Sequence, residues 1–152
     1  MKRLRYFLLT ALFFLLCCGG AFAQNNLMIS NTSSAASADE DALFKPIARY
    51  LGSGDTESLS AWLAPSVEIT LLSSVTSTSK SHARNILDDF FRTHTPQSFQ
   101  VTHVAAQPNL KYAVGILSAG GEKFDVTLFA AYSEGEGFRI RQIKIDRSTS
   151  VF

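Results

Sequence analysis

Beyond Pro96 the chain carries no helical period. Phe99, Val101, His103 and Ala105 share one parity, as do Tyr112, Val114 and Ile116, and then Phe124, Val126, Leu128, Ala130 and Tyr132. Side chains of a strand alternate between two faces, so each set predicts a strand with one face turned to a core. Gly120-Gly121 and Gly135-Glu136-Gly137 fall between such sets and predict tight hairpin turns. The C-terminal part of the chain is thus expected to be an antiparallel run of strands. In the last one the apolar phase slips: Phe138 and Ile140 have one parity, Ile143 and Ile145 the other. One extra residue at Arg141 or Gln142 restores the register, which predicts a bulge within a strongly curved sheet.

Ahead of the strands the period is helical. Leu43, Phe44, Ile47, Ala48 and Leu51 predict a first helix, which Pro46 either delays to about Leu43 or kinks, and which Gly52 can close in a left-handed cap. Asp55 is placed to cap a short second helix carrying Leu59, Trp62 and Leu63 and ending before Pro65. Val67-Glu68-Ile69-Thr70-Leu71 alternates as a strand, and the Ser/Thr run from Ser73 to Thr78 reads as the loop beyond it. Ser79 can cap the third helix, where Ala83, Ile86, Leu87, Phe90, Phe91 and His94 form one stripe while Arg84, Asp88, Asp89 and Arg92 point away.

The predicted fold class is therefore α+β, a curved antiparallel sheet (cone) in the order helix, helix, strand, helix and four strands. With Leu51-Gly52-Ser53-Gly54-Asp55 and Leu59, Ser79-Lys80, Ala83, Ile86-Leu87-Asp88-Asp89-Phe90-Phe91, Pro96, Phe99 and His103, this order resembles the nuclear transport factor 2-like superfamily. That superfamily, a cystatin-like cone, also houses ketosteroid isomerase and scytalone dehydratase. More narrowly the chain is similar to small exported bacterial domains of unknown function within it. The likeness covers Asp39 to Asp146 and implies a fold; it brings no assigned activity.

The N-terminus gives an address. Met1-Lys2-Arg3-Leu4-Arg5, an apolar run from Tyr6 to Cys18 and Ala21-Phe22-Ala23 before Gln24 have the layout of a secretory peptide cleaved between Ala23 and Gln24. The apolar run is shorter than the roughly twenty residues a membrane span requires, so no span is expected after cleavage. The mature chain is expected to be exported, periplasmic or secreted. A lipoprotein reading through Cys17 or Cys18 is the minor alternative, because Leu16 and Cys17 precede them where small residues are preferred. The expected organisation is a signal peptide at 1–23, a flexible Asn/Ser/Thr/Ala tether at 24–38, the domain at 39–147 and a C-terminal tail at 148–152.

Cleavage removes both cysteines, so the domain has to be held by apolar burial. At this length one domain buries roughly two-thirds of its unfolded surface, which suffices. Of 14 basic and 13 acidic residues, Lys2, Arg3 and Arg5 belong to the leader, leaving a slightly acidic, interspersed balance. Such a surface has no footprint for nucleic acid.

No motif spells out a reaction. Asp88 and Asp89 diverge by about 100° on a helix and have Arg84 and Arg92 four residues from Asp88, which predicts an ion-pairing face rather than an acid-base pair. His82, His94 and His103 match no ligand spacing, so neither a metal nor a cofactor is expected. Pocket candidates are His103, Tyr112 and Tyr132, on strand faces expected to turn toward the helices, with Trp62 of the second helix and Phe91 of the third. A ketosteroid-isomerase-like site would also need a carboxylate there, and Glu68 and Asp125 have the outward parity. The opposite face, with Val104, Ala113, Gly115, Leu117, Thr127, Phe129 and Ala131, is unusually apolar. A sheet-to-sheet homodimer would cover it, or the two faces are interchanged. The expected role is non-enzymatic: binding of a small apolar ligand or contact with a protein. The rivals are an isomerase or lyase using His103 with Tyr112 or Tyr132, and a structural partner in an envelope assembly.

Overall fold

A computed structural model describes residues 33–149. The leader with Cys17, Cys18 and the Ala23-Gln24 junction, the 24–32 part of the expected tether and the end of the 148–152 tail lie outside the described residues. The elements are α1 Ser33–Ser53, α2 Thr56–Ser60, β1 Leu63–Leu71, β2 Ser74–Ser79, α3 Lys80–Thr93, β3 Pro96–Gln107, β4 Leu110–Ala119, β5 Glu122–Ser133 and β6 Gly137–Arg147. No helix among the described residues is long and apolar enough to cross a membrane.

The expected cone is present as one curved, open sheet in the order β2-β1-β6-β5-β4-β3. Neighbours pair antiparallel except β1 and β6, which are parallel. The core is an aliphatic and aromatic cluster in which Phe44, Ile47 and Leu51 of α1 and Leu87, Phe90 and Phe91 of α3 meet Val67, Ile69, Leu117, Phe124, Val126, Leu128, Ile140, Ile143 and Ile145 of the sheet. Helix stripes at three- and four-residue spacing thus close over strand positions at spacing two, which is why both patterns were visible in the sequence.

Three local expectations need correction. First, the helix begins at Ser33, so the stretch expected to be a tether is regular from there on, and it runs through Pro46. The Ala/Ser segment has no apolar stripe, but adding residues to an existing helix needs only modest propensity once burial has fixed its other end. Second, Gly52 is inside α1, and the residue in the left-handed region is Gly54, with φ 71°. Gly52 serves a close approach instead: a Cβ there would lie 3.0 Å from the Phe99 backbone nitrogen. Third, the Ser/Thr run is not a loop. It is β2, an edge strand paired from Ser66↔Ser79 to Leu71↔Ser74. None of its residues is buried, so no alternation of apolar and polar residues marks it.

The caps fall where the sequence put them. Asp55 Oδ1 accepts from the Ser58 backbone N–H at 3.0 Å, and Ser79 Oγ from that of His82 at 3.4 Å. The bulge in β6 is also in place: Phe129 opposes Gln142 and Ala130 opposes Ile140, which leaves Arg141 as the extra residue.

Candidate functional site

Which side chains reach which side of the sheet is decided by a second bulge. In β3, Val101 opposes Gly115 and His103 opposes Val114, so Thr102 is unmatched and the parity of everything after it is inverted. Thr102 Oγ1 donates to the Val114 carbonyl at 3.1 Å and holds the distortion in place. Val101 and Val104 therefore both pack toward the core while His103 is exposed. The assignment of His103 to the helix-facing side is corrected accordingly.

Tyr112 moves with it. In β4 the buried positions are Lys111, Ala113, Gly115, Leu117 and Ala119, so Tyr112, Val114 and Ile116 lie on the outer face, half-buried. At Gly115 the core leaves no depth for a side chain: a Cβ there would fall 2.5 Å from Phe99 Cζ and 2.4 Å from the Gln100 carbonyl oxygen. For β4 the two faces are thus interchanged relative to the sequence reading, whereas Phe124, Val126, Leu128 and Ala130 of β5 face inward as expected.

The outer face then carries a row that crosses the whole sheet. Ala105 opposes Tyr112, Tyr112 opposes Phe129, Phe129 opposes Gln142, Gln142 opposes Glu68, and Glu68 opposes Ser77. Its β3–β5 end is aromatic: the Tyr112 ring lies 5.8 Å from His103 and 5.8 Å from Phe129, centroid to centroid. Its other end is polar, with Gln142 Nε2 donating to Glu68 Oε1. Glu68 and Asp125 have the expected outward parity, opposite Gln142 and Ile116 respectively.

Of the five pocket candidates, only His103 and Tyr112 come together, and they do so on the open side. Tyr132 is 51% exposed and meets Phe138 edge-on at 5.5 Å. The same Phe138 ring receives the Lys111 ammonium at 4.7 Å. Trp62 is half-buried and contributes its carbonyl to Ile140 N–H at 2.8 Å, where β1 first meets β6. Phe91 is buried in the core beside Phe90.

The remaining polar groups have structural surroundings. His94 caps α3, stacks on Phe90 at 4.6 Å and lies edge-on to Phe124 at 5.2 Å. Arg92 pairs with Asp88 at 2.7 Å and Asp89 at 3.7 Å, as the helix spacing implied, but Arg84 pairs with Glu57 of α2 instead of Asp88. Among the described residues, the buried polar or charged ones are Thr56, Thr70 and Lys111, none of them a carboxylate, and no three His, Cys, Asp or Glu residues are placed to hold a metal. Surface cavities among the described residues include one of about 370 Å³ lined by Phe44, Lys45, Val101 and Val104, between α1 and β3, and one of about 410 Å³ lined by Leu72, Ser73, Asp146, Arg147 and Thr149. Sequence reasoning overlooked the cavity between α1 and β3 because its two valines share a face only across the Thr102 bulge.

An open curved sheet with helices packed against it is the nuclear transport factor 2-like class of fold. Solved structures agree: an NTF-2 like protein of unknown function from Silicibacter pomeroyi is 18% identical with a TM-score of 0.56, covering 77% of this chain and 99% of its own. A putative dehydratase from the NTF2-like family of Streptomyces avermitilis is 14% identical with a TM-score of 0.59, covering 76% and 99%. Within this class the chain belongs to the domain of unknown function family DUF4783, whose pattern matches residues 44–146. A DUF4783 family protein from Bacteroides uniformis is similar at 24% identity and a TM-score of 0.66, covering 70% of this chain and 97% of its own. No curated protein matches the chain.

Proposed function

We propose that this is an exported, non-enzymatic protein-contact domain whose outer sheet face docks a second copy of the chain. The observation that carries the reading is the aromatic row on that face. Tyr112 and Phe129 oppose each other across β4 and β5, with His103 against Tyr112 and Val114 and Ile116 beside them; among the described residues His103 is exposed and the other four are only half-buried. Contact surfaces with few charges and adjoining aromatics are the kind that associate. A two-fold axis on this face would stack the aromatic end of one copy on that of the other and leave the Gln142–Glu68 end at the wet rim.

A second reading, a small apolar ligand, has its own support in the cavity between Phe44, Lys45, Val101 and Val104. The dehydratase description of the Streptomyces avermitilis neighbour suggests a lyase, with His103 and Tyr112 as its groups. Such chemistry works best in a sheltered site where charges are poorly solvated, and His103 is exposed.

Sedimentation of the purified chain over a concentration series tests the first reading. Tyr112→Glu places two carboxylates in the proposed contact and is expected to weaken self-association at least about tenfold. Association unaffected by Tyr112→Glu would refute the face contact, and a ligand that protects Val104 but not Tyr112 from exchange would favour the cavity.

A further inference from the structure

The two edges of the sheet are built differently. β3 begins at Pro96 and is broken by two register shifts, devices that keep a strand from accepting a neighbour. β2, at the other edge, has none of them: Ser74-Val75-Thr76-Ser77-Thr78-Ser79 contains no charge, no proline and no bulge, and its register with β1 is continuous. Val75 is 63% exposed.

The direction of its free backbone groups follows from the hairpin. Leu72 and Ser73 both have positive φ, 48° and 72°, and form a two-residue reversal, so Leu71 and Ser74 are the closing hydrogen-bonded pair. Bonded and non-bonded pairs then alternate along the ladder. Ser74, Thr76 and Thr78 point their N–H and C=O groups at β1, whereas Val75, Ser77 and Ser79 point theirs outward. Among the described residues no backbone bond reaches Val75, Ser77 or Ser79 from that side.

We propose that this edge pairs with the same edge of a second copy, antiparallel, about a two-fold axis through Ser77, so that one sheet continues into the next. The register is dictated by the outward groups: Ser77 opposes Ser77, Val75 opposes Ser79, and Thr76 opposes Thr78. Every outward donor then meets an outward acceptor, the threonines form a favourable cross-strand pair, and no charge opposes a like charge. Lys80, the first charged residue after the strand, falls opposite Ser74. A second copy fits this edge better than a segment of unrelated sequence because the strand is its own complement in residue type, face and bonding phase. The contact is separate from the one proposed for the outer face, and neither requires the other.

Disulfide trapping tests it. In a chain carrying Cys17→Ala and Cys18→Ala, Ser77→Cys sets two thiols across the axis, where bonded antiparallel partners hold their Cα atoms about 5.5 Å apart, within disulfide reach. Under mild oxidation this variant is expected to form a covalent dimer at least about tenfold faster than Glu136→Cys on the exposed β5–β6 turn, because the contact raises the local thiol concentration. Ser77→Lys, which confronts two ammonium groups, is expected to abolish the edge contact without lowering the melting temperature. Both variants are measured with Tyr112 intact and as Tyr112→Glu, so that loss of the face contact is not read as loss of the edge contact. Equal trapping of Ser77→Cys and Glu136→Cys overturns the proposal. So does concentration-dependent association in the Tyr112→Glu chain that survives Ser77→Lys. A Tyr112→Glu chain that stays monomeric throughout, with Ser77 intact, overturns it as well and leaves the edge to an extended segment of another protein.

Discussion

Asp55 shows how one side chain sets a corner. It ends the turn that Gly54 allows, and its carboxylate accepts the Ser58 N–H of α2 at 3.0 Å. Hydrogen bonds from Ser58, first from its side chain and then from its backbone, together with the Arg49 charge, hold the carboxyl below its ordinary 3.8. A carboxyl depressed on folding adds stability above its unfolded pKa and loses that addition as the pH falls through the folded value. The urea midpoint of the wild type is therefore expected to exceed that of Asp55→Ala at neutral pH and to converge on it below pH 3.8. A gap that persists unchanged in acid would mean the carboxylate charge is not what caps the helix. Asp55 was legible in the sequence because capping needs a particular residue type at a particular offset. Gly52 and Gly54 were not separable, since a left-handed turn and a close approach both call for glycine and only the neighbours, Phe99 and Pro96, distinguish them.

The Arg141 bulge of β6 and the Thr102 bulge of β3 are the same device, and only the first was legible. In β6 the large residues Ile140, Ile143 and Ile145 make the parity slip plain. In β3 the corresponding slip from Val101 to Val104 is masked, because His103 and Ala105 continue the earlier phase as acceptable strand residues. The β1–β2 hairpin was missed for another reason: its turn lacks the expected chemistry. A reversal with positive φ at both positions favours Asn-Gly, whereas here Leu72 and Ser73 occupy it, each in a region that disfavours a Cβ. The anchors of the turn are backbone groups, Leu72 N–H to the Ile145 carbonyl at 2.9 Å and Ser73 N–H to Asp146 Oδ1 at 3.0 Å, so they survive a change of side chain. Replacing Leu72→Asn and Ser73→Gly together is expected to raise stability by about 1 kcal/mol, with an unchanged denaturant slope. A loss of stability would mean that Leu72, 42% exposed, contributes more by packing than its backbone strains.

At the scale of the molecule the governing quantity is the sidedness of the sheet, which periodicity leaves undecided wherever both faces are apolar. β4 offers Tyr112, Val114 and Ile116 on one side and Ala113, Gly115 and Leu117 on the other, and hydropathy prefers the larger set. Packing prefers the smaller, because the Phe99 ring fills the space above Gly115 and allows no side chain there. Tyr112 follows from that sidedness and His103 from the β3 bulge, so these two candidates lie on the outer face and not in a sheltered hollow. β5 permits a direct test of the assignment, since Phe124 and Phe129 have opposite parity in one strand, the first fully buried and the second half-exposed. In dilute solution Phe124→Ala is expected to lower stability by about 3–5 kcal/mol through the cavity it opens. Phe129→Ala should lower it by only about 1 kcal/mol, the value of partial apolar burial. At high concentration the order of effects reverses for assembly: Phe129→Ala removes the ring that Tyr112 stacks against and should reduce self-association, while Phe124→Ala leaves the outer face unchanged. Equal folding losses from the two substitutions in urea unfolding would show that both sides of the sheet are core, and the aromatic row would then have no surface to offer.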